Sequence, residues 1–338
     1  MPVRIVQFTH PGGQYTLSKI EKSYSVKEWN IDKHCRKFLI AEGQYMINNT
    51  LSNPQDLLFW GEWEPESKIV SSFVVPDPVV YPTNLHSPFL RIDKKGELIK
   101  YNSRLTSTPN TCCTGILPQT CRKKCRLFQN TDPFVFDEFF YYCLCKQESF
   151  PSLKNLDVGS IILFGSTISA KRGGPYFALD TVFVVGEKKQ FEVKDYKTVL
   201  NNYLPQYYEQ IMGIDTWNNK AQLTCYKGAS FHHPVNGMYS FVPCKPVEET
   251  GLNGFKRVML KNKDFSSISI PALNQKKTPK FISDNLNTAP NITTSDLSTN
   301  KLFWDRVCQI VNSQGYKQGM NFKYIINNVN SKRMTSHP

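Results

Sequence analysis

GSIILFGSTI at residues 159–168, the basic glycine loop Lys171-Arg172-Gly173-Gly174, and FALDTVFVVG at residues 177–186 together decide the fold class. Two runs rich in β-branched and aromatic residues, each bounded by glycine, flank a turn-forming loop, which is the pattern of paired strands. QFEV at residues 190–193 reads as a third, short strand.

The same reading extends outward. Residues 3–10 form a strand that stops at Pro11-Gly12-Gly13, and RKFLIAEGQYMI at 36–47 forms another, broken at Gly43. LLFWGEWEP at 57–65 is a strand in which Gly61 marks a bulge or a close backbone approach, and IVSSFVV at 69–75 suits it as a partner. FLRIDKKGELIKY at 89–101 is a hairpin turning at Lys95-Gly96. FVFDEFFYYCLC at 134–145 is apolar almost throughout and reads as a buried strand, with a short helix as the alternative. Residues 221–228, 237–244 and 257–261 supply further strands.

Helical spacing first occurs at residues 195–213, interrupted by Pro205. It returns behind Asn300, where Phe303, Val307, Ile310 and Val311 share one face and Gly315 is the stop. The expected class is α+β, mostly β, with appended helices that include this C-terminal amphipathic helix. The expected parts are a β-rich segment 1–133 with a cysteine-rich insertion near 103–130, a body at 134–275, a polar linker at 276–300, and a C-terminal helix and tail at 301–338.

Lys and Arg outnumber Asp and Glu by 41 to 28 over 338 residues, giving a formal charge of +13 and a pI near 9.2. Such a balance favours a polyanionic partner, with nucleic acid or a nucleotide first among them. No apolar run approaches the ~18 residues of a spanning helix, and the N-terminus lacks the layout of a secretory signal, so the expectation is a cytoplasmic protein that does not enter a membrane. The Walker loop, a GxGxxG opening a helix, HExxH and GxSxG are all missing from the sequence, which leaves P-loop hydrolysis, Rossmann redox chemistry, zincin proteolysis and nucleophile-elbow hydrolysis without support.

The densest chemistry lies at Phe59-Trp60-Gly61-Glu62-Trp63-Glu64-Pro65. On a strand, Trp60, Glu62 and Glu64 fall on one face and Phe59, Gly61 and Trp63 on the other. An indole beside a carboxylate suits a nucleobase, because the ring stacks and the carboxylate accepts from exocyclic amines. The competing reading is a rim strand with solvated glutamates and a tryptophan packed inside. His10, His34 and Arg36 complete a candidate polar site for phosphate and base, and Lys171 and Arg172 are candidate phosphate contacts. Glu62, Glu64 and His34 are the candidates for acid–base work.

Cys112, Cys113, Cys121, Cys125, Cys143 and Cys145 offer C-x3-C and C-x-C spacings from which a zinc site could draw four thiolates, or else some of them serve as small apolar residues. Asp132, in the turn Asn130-Thr131-Asp132-Pro133, reads as a chain cap ahead of a substrate-contacting group. His232-His233 is discounted as a chelate, since adjacent side chains on an extended chain point apart.

LDVGSIILFG at residues 156–165, followed by FALDTVFVVGEKKQF, resembles the central strands of PUA-like β-barrels, the group that includes ASCH and EVE domains. The resemblance covers about residues 156–193 and implies a small barrel that accommodates a nucleotide, often a modified or flipped base, in an aromatic pocket. The leading functional expectation is therefore a nucleic-acid-binding protein that recognises a base, with nucleic-acid modification or defence as the setting that the resemblance implies. Its rivals are an enzyme acting on a nucleotide or base through Glu62 or Glu64, and a non-catalytic interaction module.

Overall fold

The computed structural model describes residues 3–9, 13–14, 35–62, 67–74, 86–92, 98–105, 132–168, 176–205, 208, 220–246, 249, 257–268 and 291–323. In chain order the strands are β1 (Arg4–Thr9), β2 (Gly13–Gln14), β3 (Cys35–Ile47), β4 (Thr50–Leu51), β5 (Gln55–Glu62), β6 (Ser67–Val74), β7 (His86–Ile92) and β8 (Leu98–Leu105). After them come β9 (Tyr141–Tyr142), β10 (Ile161–Ile168), β11 (Tyr176–Glu192), β12 (Gln222–Gly228), β13 (Val242–Pro246), β14 (Val258–Leu260), β15 (Asn291–Thr294) and β16 (Lys317–Met320). Among the described residues the α-helices are a single turn, α1 (Tyr196–Val199), and one long element, α2 (Leu297–Ser313). The fold is mostly β, as the sequence pattern indicates.

One sheet runs β15-β1-β10-β11-β12-β9, with β14 also paired to β11. Within it β1 and β10 are parallel and the remaining pairings are antiparallel. The other sheet runs β16-β13-β5-β3-β7-β8-β6, and an additional β16–β3 pairing closes β3, β5, β13 and β16 into a four-stranded barrel. The strands within 156–193, β10 and β11, belong to the first sheet, outside that closed ring.

Both faces of the first sheet are covered, which explains why its strands carry no alternation. Ile161, Leu163 and Val184 pack with Phe303, Val307 and Val311 of α2, whereas Ile162, Phe164 and Phe183 pack with the aromatic segment around Tyr142. Strand β5 joins both cores, because Leu57 and Phe59 enter one cluster and Leu58 and Trp60 the other. Full burial of each such large apolar side chain contributes about 1.5–3 kcal/mol.

A bulge interrupts the β10–β11 register. Phe164 faces Thr181 and Gly165 faces Leu179, so Asp180 is the extra residue. Glycine is required at 165, since a Cβ there would lie 2.2 Å from the carbonyl oxygen of Ala178. Helix α2 starts where Asp296 accepts a 2.8 Å bond from the Thr299 amide and ends near Gly315, whose φ of +76° suits a residue without a side chain.

Several expectations need correction. The sequence reads as a polar linker or loop at 276–300, yet within it Asn291–Thr294 is β15, paired to β1, and α2 begins at Leu297. Tertiary pairing with an existing strand overrides the polar composition there. The run 134–145 is buried except at Asp137, Glu138 and Phe139, but only Tyr141–Tyr142 is a strand, and isolated bridges at Phe134, Phe136 and Asp137 hold part of the rest. QFE continues β11 instead of forming a separate strand, and β3 passes unbroken through Gly43, where a Cβ would meet the Phe322 ring at 2.8 Å. Strand β6 pairs with β8, not with β5. Strand β1 enters the sheet whose other strands lie at residues 141–294, and β13 and β16 enter the sheet whose other strands lie at residues 13–105.

Candidate functional site

Strands β1 and β10 run in parallel, so their carboxyl ends lie at one end of the first sheet, with Thr9 beside Gly165. Gly13 follows Thr9 by four positions, a span of at most about 14 Å. There β2 pairs with the start of β3, Gly13 with Cys35 and Gln14 with Arg36. Arg36 in turn stands opposite Glu62, the last residue of β5. The end of β1, the start of β3 and the end of β5 are therefore gathered by topology.

The same end of the first sheet contains buried polar side chains in an otherwise apolar layer. Gln7, Thr9 and Thr167 are each more than nine-tenths buried. The Gln7 Nε2 donates to Thr167 Oγ1 at 3.5 Å, and the Thr9 and Thr167 hydroxyls lie 3.4 Å apart. Gln7 Oε1 has no hydrogen-bond partner among the described residues, a costly condition for a buried acceptor. Lys146 adds a cation, its Nζ donating to the Thr9 carbonyl at 2.7 Å while lying 5.1 Å from the centre of the Phe8 ring.

Lys146 holds that position from a left-handed backbone, φ +60°, in the turn that follows β9. Asp132 builds the turn. Its carboxylate accepts the amides of Cys143, Leu144 and Cys145 at 3.2, 2.7 and 2.8 Å and the Tyr208 hydroxyl at 2.7 Å. Full burial raises its pKa to about 6 against the lowering pull of these donors. Asp132 is thus the cap that its turn context implied. Gln147, next in the turn, replaces a ladder residue: its amide accepts from Thr224 N at 2.8 Å and donates to Thr224 O at 2.7 Å.

A second buried group sits at the bulge. Arg257 Nη1 lies 3.1 Å from Asp180 Oδ1 and 3.2 Å from Ser166 Oγ, and Arg257 and Asp180 are 4% and 3% exposed. Removing either partner of an ion pair so deeply buried leaves an uncompensated charge in the core.

Compared with protein-family models, curated proteins and solved structures, the chain finds no match. The site is therefore argued from its own residues.

Of the residues singled out in the sequence, topology brings Arg36 and Glu62 into register. Trp60 is 6% exposed and packs in the core shared with α2, so it presents no open stacking face. His10, His34, Trp63, Glu64, Lys171 and Arg172 lie outside the described residues. Cys112, Cys113, Cys121 and Cys125 also lie outside them, while Cys143 and Cys145 are buried thiols. Among the described residues no group of three or more His, Cys, Asp or Glu side chains is placed to hold a metal, and no helix is long and apolar enough to cross a membrane.

Sequence reading missed Gln7, Thr167 and Lys146. A signal existed for the first, because Gln7 and Thr9 are polar residues at alternate positions of the apolar run RIVQFT. Lys146 gave none, since its role depends on a turn held by a residue fourteen positions earlier.

A wide groove of ≈ 880 Å³ runs along α2 past Phe231, Tyr239 and Trp304. Its cations are already engaged, Lys301 with Asp305 at 2.6 Å and Arg306 Nε with the Asp264 carbonyl at 2.7 Å. The strand end is accordingly the stronger candidate.

Proposed function

We propose that the protein binds nucleic acid and seats one nucleotide where β1, β3, β5 and β10 meet. The observation that carries this reading is the register that opposes Arg36 to Glu62 beside the carboxyl ends of the parallel strands. A guanidinium suits phosphate because its donors match the oxygens bidentately, and a carboxylate accepts from the exocyclic amine of a base. The charge of +13 favours a polyanion and steers its approach. In this reading Arg36, Lys171 and Arg172 contact phosphate, Glu62 reads the base, and His10, His34 and Glu64 flank these positions in sequence.

The test is fluorescence anisotropy with a short labelled single strand and the matching duplex at ~50 and ~200 mM salt. Affinity should fall steeply with salt, as phosphate contacts release counterions, and Arg36→Gln should weaken binding and flatten the slope. Binding that ignores both salt and Arg36→Gln refutes the proposal.

A further inference from the structure

Strand β9 is the edge of the first sheet and pairs with β12 through Tyr141–Lys227 and Tyr142–Tyr226. The Gly228 amide donates to the Phe140 carbonyl at 2.7 Å, which marks that opposed pair as the hydrogen-bonded type. Hydrogen-bonded and non-hydrogen-bonded pairs alternate along an antiparallel ladder, so Tyr142 and Tyr226 repeat the first type. Extending that register by one step past the end of β9 sets Cys143 opposite Cys225 as the non-hydrogen-bonded type. Such pairs have Cα atoms about 4.5 Å apart, within the roughly 4.4–6.8 Å that a disulfide spans.

The side chains agree with the backbone. Both thiols are fully buried, neither is in a disulfide, and the Cys225 side chain acts with burial to raise the Cys143 thiol. Their backbones are fixed on each side, Cys143 by the Asp132 carboxylate on its amide and Thr224, beside Cys225, by the Gln147 amide.

We propose that Cys143 and Cys225 are an oxidisable dithiol, closing to a disulfide across the β9–β12 edge when a peroxide is supplied. The sulfur of one cysteine attacks the peroxide, the O–O bond breaks, and a sulfenic acid and one water form. The sulfur of the other then attacks the sulfenic sulfur, the S–S bond forms, and a second water leaves. Two thiol hydrogens and two electrons pass to the peroxide in all. A small dithiol reductant reverses the step.

Burial pushes the Cys143 thiol well above its ordinary value, so little thiolate exists in the closed state. Oxidation therefore waits on local opening of β9, a two-residue strand flanked by β12 and by the Phe134 bridge to Tyr141. Once formed, the link ties the turn carrying Lys146 to β12 and closes a long chain loop, which restricts the unfolded ensemble. This inference is independent of nucleic-acid binding.

The full-length protein is treated with hydrogen peroxide, quenched, unfolded in an alkylating reagent, digested and mapped by mass spectrometry. The expected result is a linked Cys143–Cys225 peptide pair, two fewer alkylated thiols, a higher thermal midpoint and reversal by dithiothreitol. In Cys225→Ala, Cys143 should stop at a sulfenic acid that dimedone traps. Both cysteines still alkylated, sulfinic acid at either, or a link from either to another cysteine would overturn the proposal, and each is read from the wild-type map whether or not the variant folds.

Discussion

Tyr208 donates its hydroxyl to Asp132 Oδ1 across 2.7 Å, and both residues are fully buried. Asp132 Oδ2 meanwhile accepts from Leu144 and Cys145. In Asp132→Asn the amide oxygen can keep the Leu144 and Cys145 amides while its nitrogen donates to the Tyr208 oxygen, which leaves the Cys143 amide unpaired. The expected cost is about 1–3 kcal/mol. Asp132→Ala strands all four donors and should cost more than about 4 kcal/mol. Urea unfolding of the two variants checks the order, and equal losses would show that the hydrogen bonds contribute little.

The same carboxyl should make stability depend on pH. Its folded pKa, about 6, lies above the ordinary 3.8, so native protein binds a proton more tightly than the unfolded chain. The stabilisation from protonation is fully present below 3.8 and is lost as pH rises through about 6. Its size is roughly 2–3 kcal/mol. Asp132→Asn does not titrate, so the stability gap between wild type and variant should narrow from pH ~4.5 to ~7. A gap that widens over that range contradicts the raised pKa.

Arg257 and Asp180 should show the asymmetry of a buried ion pair. Removing one partner, in Arg257→Met or Asp180→Leu, leaves a buried charge and should cost about 3–5 kcal/mol. The double variant should recover much of that loss, because no uncompensated charge remains. A double-mutant cycle by thermal or urea unfolding measures it, and simple additivity would mean that the pair is not coupled.

How much of this was legible in sequence varies by element. The strands β1, β5, β10 and β11, the hairpin β7–β8 and helix α2 are all marked by local apolar pattern and by glycine or proline stops. What escaped depends on distant parts of the chain. NITT at 291–294 has no strand-like neighbourhood, and only the edge of β1 recruits it. The barrel closes through β16, a KQGM segment whose pattern is weak but which follows α2 and meets both β13 and β3. At the site, Arg36 and Glu62 were legible as residue types and Asp132 as a cap. Lys146 and Thr167 were not, because their places follow from a turn geometry and from parallel pairing across about 160 residues.

Trp60 and Glu62 share β5 and should separate cleanly on mutation. Trp60 packs with Leu58, Tyr239 and Trp304 in the core, so Trp60→Ala should cost about 3–5 kcal/mol of folding stability through the cavity it leaves. Glu62 ends the strand, and Glu62→Gln keeps its shape while removing the acceptor charge that the proposed base contact uses. Thermal midpoints measured beside anisotropy titrations should therefore show Trp60→Ala melting early yet binding normally per folded molecule. Glu62→Gln should melt like wild type while its affinity for a single strand falls by roughly tenfold, equivalent to about 1.4 kcal/mol. Should Trp60→Ala lose affinity while folded, or Glu62→Gln bind like wild type, the strand end is not where the base is read.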